Sequence, residues 1–488
     1  MSEDKNSYKQ IVKATSLFGG VQVFNILIAI IKSKVVAVLL GPTGMGISGL
    51  LTSSTGLLSM LTNFGLGTSA VKDIAAAHKT GKELRIAKIV AVFRRLVWGT
   101  GLLGAVLTLV LSPWLSQLTF GNKDYTLAFI WLSVTLLFKQ LTSGQDVLLQ
   151  GMRKLQYLAK ANMLGAVAGL VVSIPMYYYW RLEGIVPALI LTAFFTLLIA
   201  WYFARKITIK KIPITTKKTI TEGKGMLKMG FLLSMSGLIT MGASFLIRIY
   251  ISNTGGIDDV GLYTAGFTII GTYVGLVFSA MGTDFYPRLS GVAHNNTKAT
   301  TLINQQAEVG VLILAPILTV FLIFINWIVI LLYSTKFTPI NGMVHWAALG
   351  MYFKVVSWAI AFILLAKGAS KLFFWNELFV NIYMLLFNIL GYKYGGLDGL
   401  GISFMVSYFL YLLQVYFLAK HHYQFTFSKE FKQLFAIQFV LGLACFLTIK
   451  FIPTPWVYGV GIVFIVVSGW VSYKELDKRI DFKKNLKI

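Results

Sequence analysis

Residues 309–333 read VGVLILAPILTVFLIFINWIVILLY and contain no acidic or basic side chain. A helix needs about 20 mostly apolar residues to cross the hydrocarbon core of a bilayer, and this run is long enough. The same criterion finds fourteen such runs along the 488 residues. They lie near 14–40, 47–71, 92–118, 126–150, 161–181, 184–204, 229–252, 260–284, 309–333, 342–366, 372–394, 397–419, 433–450 and 455–473. The sequence therefore predicts an all-α membrane protein with fourteen transmembrane helices.

The composition supports this fold class. Apolar residue types make up 56% of the chain and charged types 13%. Soluble globular proteins carry about 25% charged residues, so a soluble enzyme is disfavoured, and the apolar content excludes a disordered chain. The one cysteine, Cys445, excludes a disulfide framework and a multi-cysteine metal site, and the five histidines lack HExxH spacing. We expect no metal and no cofactor.

The distribution of lysine and arginine predicts the orientation in the membrane. With a cytoplasmic N-terminus, 34 of the 44 Lys and Arg residues fall in inside segments, 5 in outside turns and 5 within spans. Cytoplasmic loops of membrane proteins are enriched in these residues. We therefore predict a multi-pass protein of the bacterial inner membrane with both termini cytoplasmic. This asymmetry explains most of the net charge of +26, so no nucleic-acid partner is expected.

The chain contains an internal repeat on the two sides of the basic segment 205–228. Lys34 and Arg248 occupy equivalent positions in the two sets of six spans, and Lys139 in span 4 matches Lys354 in span 10. Six spans return the chain to its starting side, so the repeats are parallel, and such transporters bind substrate between their halves. The predicted domains are an N-lobe (1–204), a cytoplasmic basic linker (205–228), a C-lobe (229–420) and spans 13 and 14 with a cytoplasmic tail (421–488).

Five cations lie within the predicted spans. They are Lys32, Lys34, Lys139, Arg248 and Lys354. A charge at the bilayer centre costs about 2.5–3.5 kcal/mol, so we expect such groups to face a cavity, a partner or the interface. An ion bridge between helices is the structural alternative for Lys139 and Lys354. Snorkelling to the outer interface is the alternative for Lys34 and Arg248. Lys32, two residues before Lys34, is expected to point away from the cavity.

Two carboxylates lie in the membrane interior, Asp146 in span 4 and Glu377 in span 11. Asp146 follows Lys139 by seven residues, so the two share a helix face. Either acid is a candidate to carry a coupling proton, and structural pairing with a neighbour is the alternative. Five cations against two acids predict a positive cavity, and such a cavity suits an anionic substrate.

Several motifs resemble those of the Wzx-type O-antigen flippases. They are KVVAVLLGPTGMG (34–46), YPRLS (286–290), NQQ (304–306), Pro316, LLYSTKF (331–337), KVVSW (354–358) and LAKG (365–368). The resemblance covers about 14–420. These flippases belong to the multidrug/oligosaccharidyl-lipid/polysaccharide exporter superfamily.

The resemblance implies a V-shaped, MATE-like pair of six-helix lobes. It also implies translocation of undecaprenyl-diphosphate-linked oligosaccharide, an O-antigen or related repeat unit, from the cytoplasmic to the periplasmic leaflet. Lys34, Lys139, Arg248 and Lys354 fall where the family's lumenal cations are expected. The two extra helices depart from the common twelve-span pattern. They match the fourteen spans of lipid II flippases, whose last pair lines a groove for the lipid tail, so the lipid-linked sugar stays open.

Two other functions are compatible with a multi-pass membrane protein. A cation-coupled multidrug exporter of the same superfamily would favour buried acids, whereas this chain has more buried cations. A membrane enzyme of polysaccharide assembly would need a clustered His/Asp/Glu site, and the predicted outer loops are short. We therefore expect no enzyme activity. The expected partners are the lipid-linked oligosaccharide, membrane lipids and a polysaccharide polymerase or ligase.

Overall fold

The computed structural model describes residues 2–210 and 212–480, and this part of the chain is helical without a strand. Lys211 of the predicted linker and residues 481–488 of the predicted tail lie outside it. Contacts divide the chain into two compact units, Met1–Gly261 and Leu262–Ile488. We call them unit 1 and unit 2. This division falls after the predicted linker, and the predicted domain boundaries stay a prediction.

Nine helices of the described chain lie in unit 1, and a tenth begins in unit 1 and ends in unit 2. They are α1 (Ser2–Leu39), α2 (Gly41–Asn63), α3 (Leu66–Lys79), α4 (Glu83–Val110), α5 (Ser112–Phe120), α6 (Thr126–Gly151), α7 (Leu155–Trp180), α8 (Ile185–Ala204), α9 (Thr216–Thr254) and α10 (Ile257–Thr268). In unit 2 a π-helical turn (Ile269–Val274) precedes α11 (Leu276–Val292), α12 (Asn296–Leu332), α13 (Asn341–Ala366), α14 (Ser370–Tyr423), α15 (Lys429–Phe451) and α16 (Trp456–Ile480).

Eleven helical segments of the described chain are long and apolar enough to cross a membrane. Two of them, Leu155–Ala204 and Ser370–Tyr423, have 50 and 54 residues. At 1.5 Å per residue each would extend about 75 Å or more, more than twice the hydrocarbon core. Each is interrupted, the first by the 3₁₀ turn Arg181–Gly184 and the second by non-helical Gly396. The helical fold class is confirmed, and the count of fourteen spans stays a prediction.

The second predicted span differs from the structure. The run 47–71 was expected to form one helix, but α2 begins at Gly41 and ends at Asn63, and α3 follows from Leu66. Phe64 and Gly65 adopt left-handed backbone angles, and the Asn63 side chain accepts a hydrogen bond of 2.8 Å from the Gly65 N–H. A local side-chain bond of this kind competes with the helix ladder. The continuous apolar sequence therefore contains a helix break.

Each unit has its own apolar core. In unit 1, α3, α4, α6 and α7 bury a cluster that includes Leu66, Phe93 and Leu148. In unit 2, α13 packs along α14, and α12 packs along α13, α15 and α16. Large apolar side chains such as Trp131 and Phe451 remain exposed on the helix surfaces. Exposed apolar surface of this extent is expected of helices that face lipid.

Candidate functional site

Two lysines of unit 1 lie within its first and fourth predicted spans. Lys139 lies on α6 and Lys32 on α1. Lys139 is exposed and Lys32 half-buried. Neither forms an ion pair within 4 Å with a carboxylate of the described chain. The structural alternative of an ion bridge at Lys139 is therefore not observed among these residues.

Asp146 lies on the same helix as Lys139 without pairing with it. The carboxylate is half-buried, and its buried Oδ1 has no hydrogen-bond partner among the described residues. A buried carboxylate oxygen without a partner is costly, so such a group is expected to need a proton, water or a cation. The predicted shared face exists, but the two charges are not joined into an ion pair.

Lys34 and Arg248 also lie in unit 1, and both are half-buried. Arg248 Nη1 donates to the Ser244 carbonyl at 3.0 Å and to the Ser244 hydroxyl one turn earlier on α9. These bonds hold part of the guanidinium against its own helix. The division into units thus groups three of the four predicted cations with Asp146, whereas Lys354 and Glu377 belong to unit 2.

Lys354 lies among aromatic rings near the middle of α13. Its ammonium lies 5.6 Å from the ring centroids of Phe278 and Phe404 and 5.1 Å from that of Tyr408. Ring faces attract a cation electrostatically, by about 2 kcal/mol or more where water is excluded. The rings therefore stabilise the charge without neutralising it. No carboxylate of the described residues lies within ion-pair distance of Lys354.

Glu377 lies in a polar cluster between the two arms of α14. The Tyr411 hydroxyl donates to its Oε1 at 3.4 Å, and Asn376 Nδ2 donates to the same hydroxyl at 3.3 Å. Gln414 Nε2 donates to Asn376 Oδ1 at 2.8 Å. The Tyr408 ring connects this cluster to Lys354, because its centroid lies 6.3 Å from that of Tyr411. The carboxylate thus accepts a hydrogen bond from one neutral hydroxyl, and amide side chains orient that hydroxyl.

The direction of the Lys32 side chain relative to the cavity stays a prediction. The structure adds two aromatic rings that the sequence did not single out. The rings of Phe404 and Tyr408 contact Lys354 from another helix. Their spacing of four residues places them on one helix face, and that is the only sequence signal for them. Among the described residues no group of three His, Cys, Asp or Glu side chains could hold a metal ion.

Comparisons with known proteins agree with the helical membrane fold. The lipid II flippase MurJ in an inward closed conformation aligns with a TM-score of 0.73 at 11% identity, over 96% of this chain and 99% of that one. An inward-facing multidrug resistance MATE family transporter of the MOP superfamily aligns with a TM-score of 0.67 at 15% identity, over 83% of this chain and 94% of that one. At such identities the likeness shows the fold, so the predicted MATE-like architecture is confirmed.

Comparison of sequences identifies related proteins and a matching family. The lipid III flippase of Escherichia coli (strain K12) is 24% identical over 392 residues, which cover 78% of this chain and 91% of that protein. A family described as polysaccharide biosynthesis protein matches residues 11–292. Because this match spans more than half of the sequence, the chain belongs to the polysaccharide biosynthesis protein family.

Proposed function

We propose that the protein is a flippase that moves an undecaprenyl-diphosphate-linked oligosaccharide from the cytoplasmic to the periplasmic leaflet of the inner membrane. Family membership and the likeness to a lipid III flippase and a lipid II flippase support a lipid-linked substrate. The motifs shared with O-antigen flippases favour an O-antigen or related repeat unit.

One observation carries the proposal. Lys139 of unit 1 and Lys354 of unit 2 lie within predicted spans, and neither forms an ion pair within 4 Å with a carboxylate of the described residues. A charge inside the membrane is costly without a partner, so each ammonium is a candidate contact for an anion. A diphosphate carries the matching charge, and ammonium groups offset the cost of removing phosphate from water.

The predicted cations have distinct roles in this proposal. Lys34, Lys139 and Arg248 are the candidate phosphate contacts in unit 1. Lys354 is the candidate in unit 2, where the rings of Phe404 and Tyr408 attract its ammonium. Alternating access of the two lobes would then expose the head group to the periplasm, while the polyprenyl tail stays in lipid.

The energy source belongs to the same proposal. The chain contains no GxxxxGK[ST] phosphate-binding motif, so we assign coupling to an ion gradient or to removal of product. Asp146 and Glu377 are the candidate coupling carboxylates. Glu377 accepts a hydrogen bond from a tyrosine, and Asp146 has an oxygen without a partner. A proton or cation could bind either acid, and product would leave chemically unchanged, without enzyme activity.

Transport by reconstituted protein tests the proposal. Proteoliposomes carrying the undecaprenyl-diphosphate oligosaccharide are expected to expose the sugar to an external, impermeant sugar-modifying enzyme. The Lys139→Ala/Lys354→Ala double variant is expected to reduce this rate by about tenfold or more, since each lost charge-assisted contact costs about 1.5–3 kcal/mol. Full activity of the double variant would disprove the cationic mechanism.

A matched control uses cations of the same type elsewhere. Lys123 lies in the exposed bend between α5 and α6, and Lys210 is exposed after α8. The Lys123→Ala/Lys210→Ala variant is expected to transport at the wild-type rate. Absence of transport by the wild-type protein, together with export of a cationic drug, would instead favour the multidrug exporter.

A further inference from the structure

A cationic cavity lies within unit 1, and its lining includes neither Lys32 nor Lys139. It has a volume of about 660 Å³ and lies between α4, α6, α8 and the segment that follows α8. Arg94 and Arg205 line it together with Trp98, Trp201, Gln145 and Thr208. Neither arginine was among the candidate site residues, and none of those residues lines the cavity.

The two guanidinium groups of this cavity lack counter-charges. None of the described residues that line it is acidic. No carboxylate in the described chain forms an ion pair with either arginine within 4 Å, although the nearby Lys88 pairs with Glu222 at 2.7 Å. Because arginine stays charged and its planar donors match a phosphate bidentately, the cavity is suited to an anion of that shape.

The remaining lining residues fit a lipid head group at the membrane boundary. Gln145 lies six residues before the end of α6, about 9 Å along the helix. Arg205 directly follows the last residue of α8. Trp98 and Trp201 are 51% and 47% exposed, and tryptophan is enriched at head-group level. The Arg205 guanidinium lies 4.5 Å from the Trp201 ring centroid, so the indole orients it.

Apolar core residues close the cavity from inside. Phe93, Val97 and Leu141 line it and also belong to the buried core of unit 1. A phosphate can therefore reach the arginines from the membrane side, with acyl chains along the exposed tryptophans. Basic pockets between transmembrane helices on the cytoplasmic side are known to take anionic lipid head groups.

We propose that this cavity, between Arg94 and Arg205, binds the phosphate head group of an anionic membrane phospholipid such as phosphatidylglycerol. Gln145 and Thr208 supply further polar contacts to the head group. The bound lipid would neutralise the two guanidinium groups and join the ends of α4, α6 and α8. This site does not depend on the identity of the transported substrate.

Lipid retention by the full-length protein tests the assignment. Protein purified from nanodiscs that contain equal phosphatidylglycerol and phosphatidylcholine is analysed by native mass spectrometry. Wild type is expected to retain phosphatidylglycerol in preference. The Arg94→Gln/Arg205→Gln variant is expected to retain less phosphatidylglycerol than wild type, by a factor of about ten or more. Two charge-assisted contacts to the head group are removed in this variant.

The matched control is Arg95→Gln, which removes the same charge from the neighbouring position of α4. Arg95 does not line this cavity, so retention is expected to match wild type. Equal retention by the double variant, or equal retention of phosphatidylcholine by wild type, would overturn the proposal. The wild-type comparison holds even if the double variant does not fold.

Competition distinguishes the sources of phosphate. Neither inorganic phosphate nor undecaprenyl diphosphate is expected to displace phosphatidylglycerol at equal concentration. Displacement by undecaprenyl diphosphate would overturn the phospholipid assignment in favour of a substrate-entry site. Displacement by inorganic phosphate would show that the cavity binds phosphate without a lipid, and it would overturn the phospholipid assignment. Because no arm measures transport, failure here leaves the proposed flippase function standing.

Discussion

Lys354 illustrates how a single charged residue can lie inside a membrane protein without an acid beside it. Its ammonium contacts three ring faces, and among them Tyr408 gives the shortest distance, 5.1 Å to the centroid. The rings attract the charge without neutralising it. An acidic partner would instead have cancelled the charge. In the proposed mechanism this charge serves to contact phosphate.

Substitutions at Tyr408 separate the ring from the hydroxyl. Tyr408→Phe keeps the ring face and is expected to transport at nearly the wild-type rate. Tyr408→Leu removes the face, and the loss of about 0.5–2 kcal/mol of cation–π attraction is expected to lower the rate several-fold. Sugar exposure in proteoliposomes measures both. Equal rates for the Phe and Leu variants would show that the cage does not support Lys354.

Substitutions of Lys354 itself test whether its charge is needed for transport. Lys354→Arg retains a cation that aromatic faces also attract, and it is expected to keep measurable transport. Lys354→Met preserves length and removes the charge, and it is expected to lose about tenfold or more in rate. Protein abundance in the membrane is the control for both. Equal transport by the Arg and Met variants would contradict a role for the charge.

At the scale of helices, an ion pair to a buried carboxylate joins α16 to α12. Glu308 of α12 is 8% exposed, and its Oε2 accepts a hydrogen bond of 2.9 Å from Arg479 Nε of α16. Ser428, between α14 and α15, donates to the other oxygen at 3.4 Å. Arg479 also pairs with Glu475 on its own helix at 2.7 Å. Three elements therefore meet at one carboxylate.

Removing that carboxylate is expected to loosen α16. Glu308→Gln should lower the free energy of unfolding by about 1–3 kcal/mol, because the arginine keeps its charge and loses one partner. Lys478→Gln removes an exposed ion pair with Glu475 and should change the free energy of unfolding by about 0.5 kcal/mol or less. Thermal unfolding in detergent measures both, and hydrogen exchange of α16 locates the effect. Equal losses of stability in the Glu308→Gln and Lys478→Gln variants would contradict a stabilising role for the Glu308–Arg479 ion pair.

Two glycines place α2 against the start of α10. A Cβ at Gly46 would overlap the Ile257 backbone, and a Cβ at Gly261 would overlap the Pro42 backbone. Gly46→Val or Gly261→Val is expected to force the helices apart and destabilise the protein by about 1–3 kcal/mol. Gly242→Val on α9, where a Cβ meets nothing within 4 Å, is the control. Thermal unfolding that is unchanged by either test variant would contradict this contact.

At the scale of the whole molecule, the predicted topology is open to a direct test. The natural Cys445 is fully buried, so introduced cysteines can be labelled against a silent background. Lys123→Cys is expected to react with an impermeant maleimide added to intact spheroplasts. Lys210→Cys is expected to react only after lysis, because the Lys/Arg asymmetry places it inside. The reverse labelling pattern would contradict cytoplasmic termini.

The sequence determined the helical membrane class, whereas the equivalence of positions in the two halves stays a prediction. Apolar runs of span length leave the backbone no alternative to helix within lipid, so local composition is sufficient. The sequence also identified Lys139, Lys354, Asp146 and Glu377 as charges inside the predicted spans, because a span contains few such residues.

Only the tertiary structure decided the partners of these charges. Phe278 and Tyr408 contact Lys354 from two other helices. The helix break after Asn63 likewise depends on backbone angles that an apolar run does not reveal. Hydropathy reports how much of a helix is apolar, whereas the neighbour of each side chain depends on how helices pack across long sequence separations. That packing decides whether a lysine within a span contacts a carboxylate or an aromatic ring.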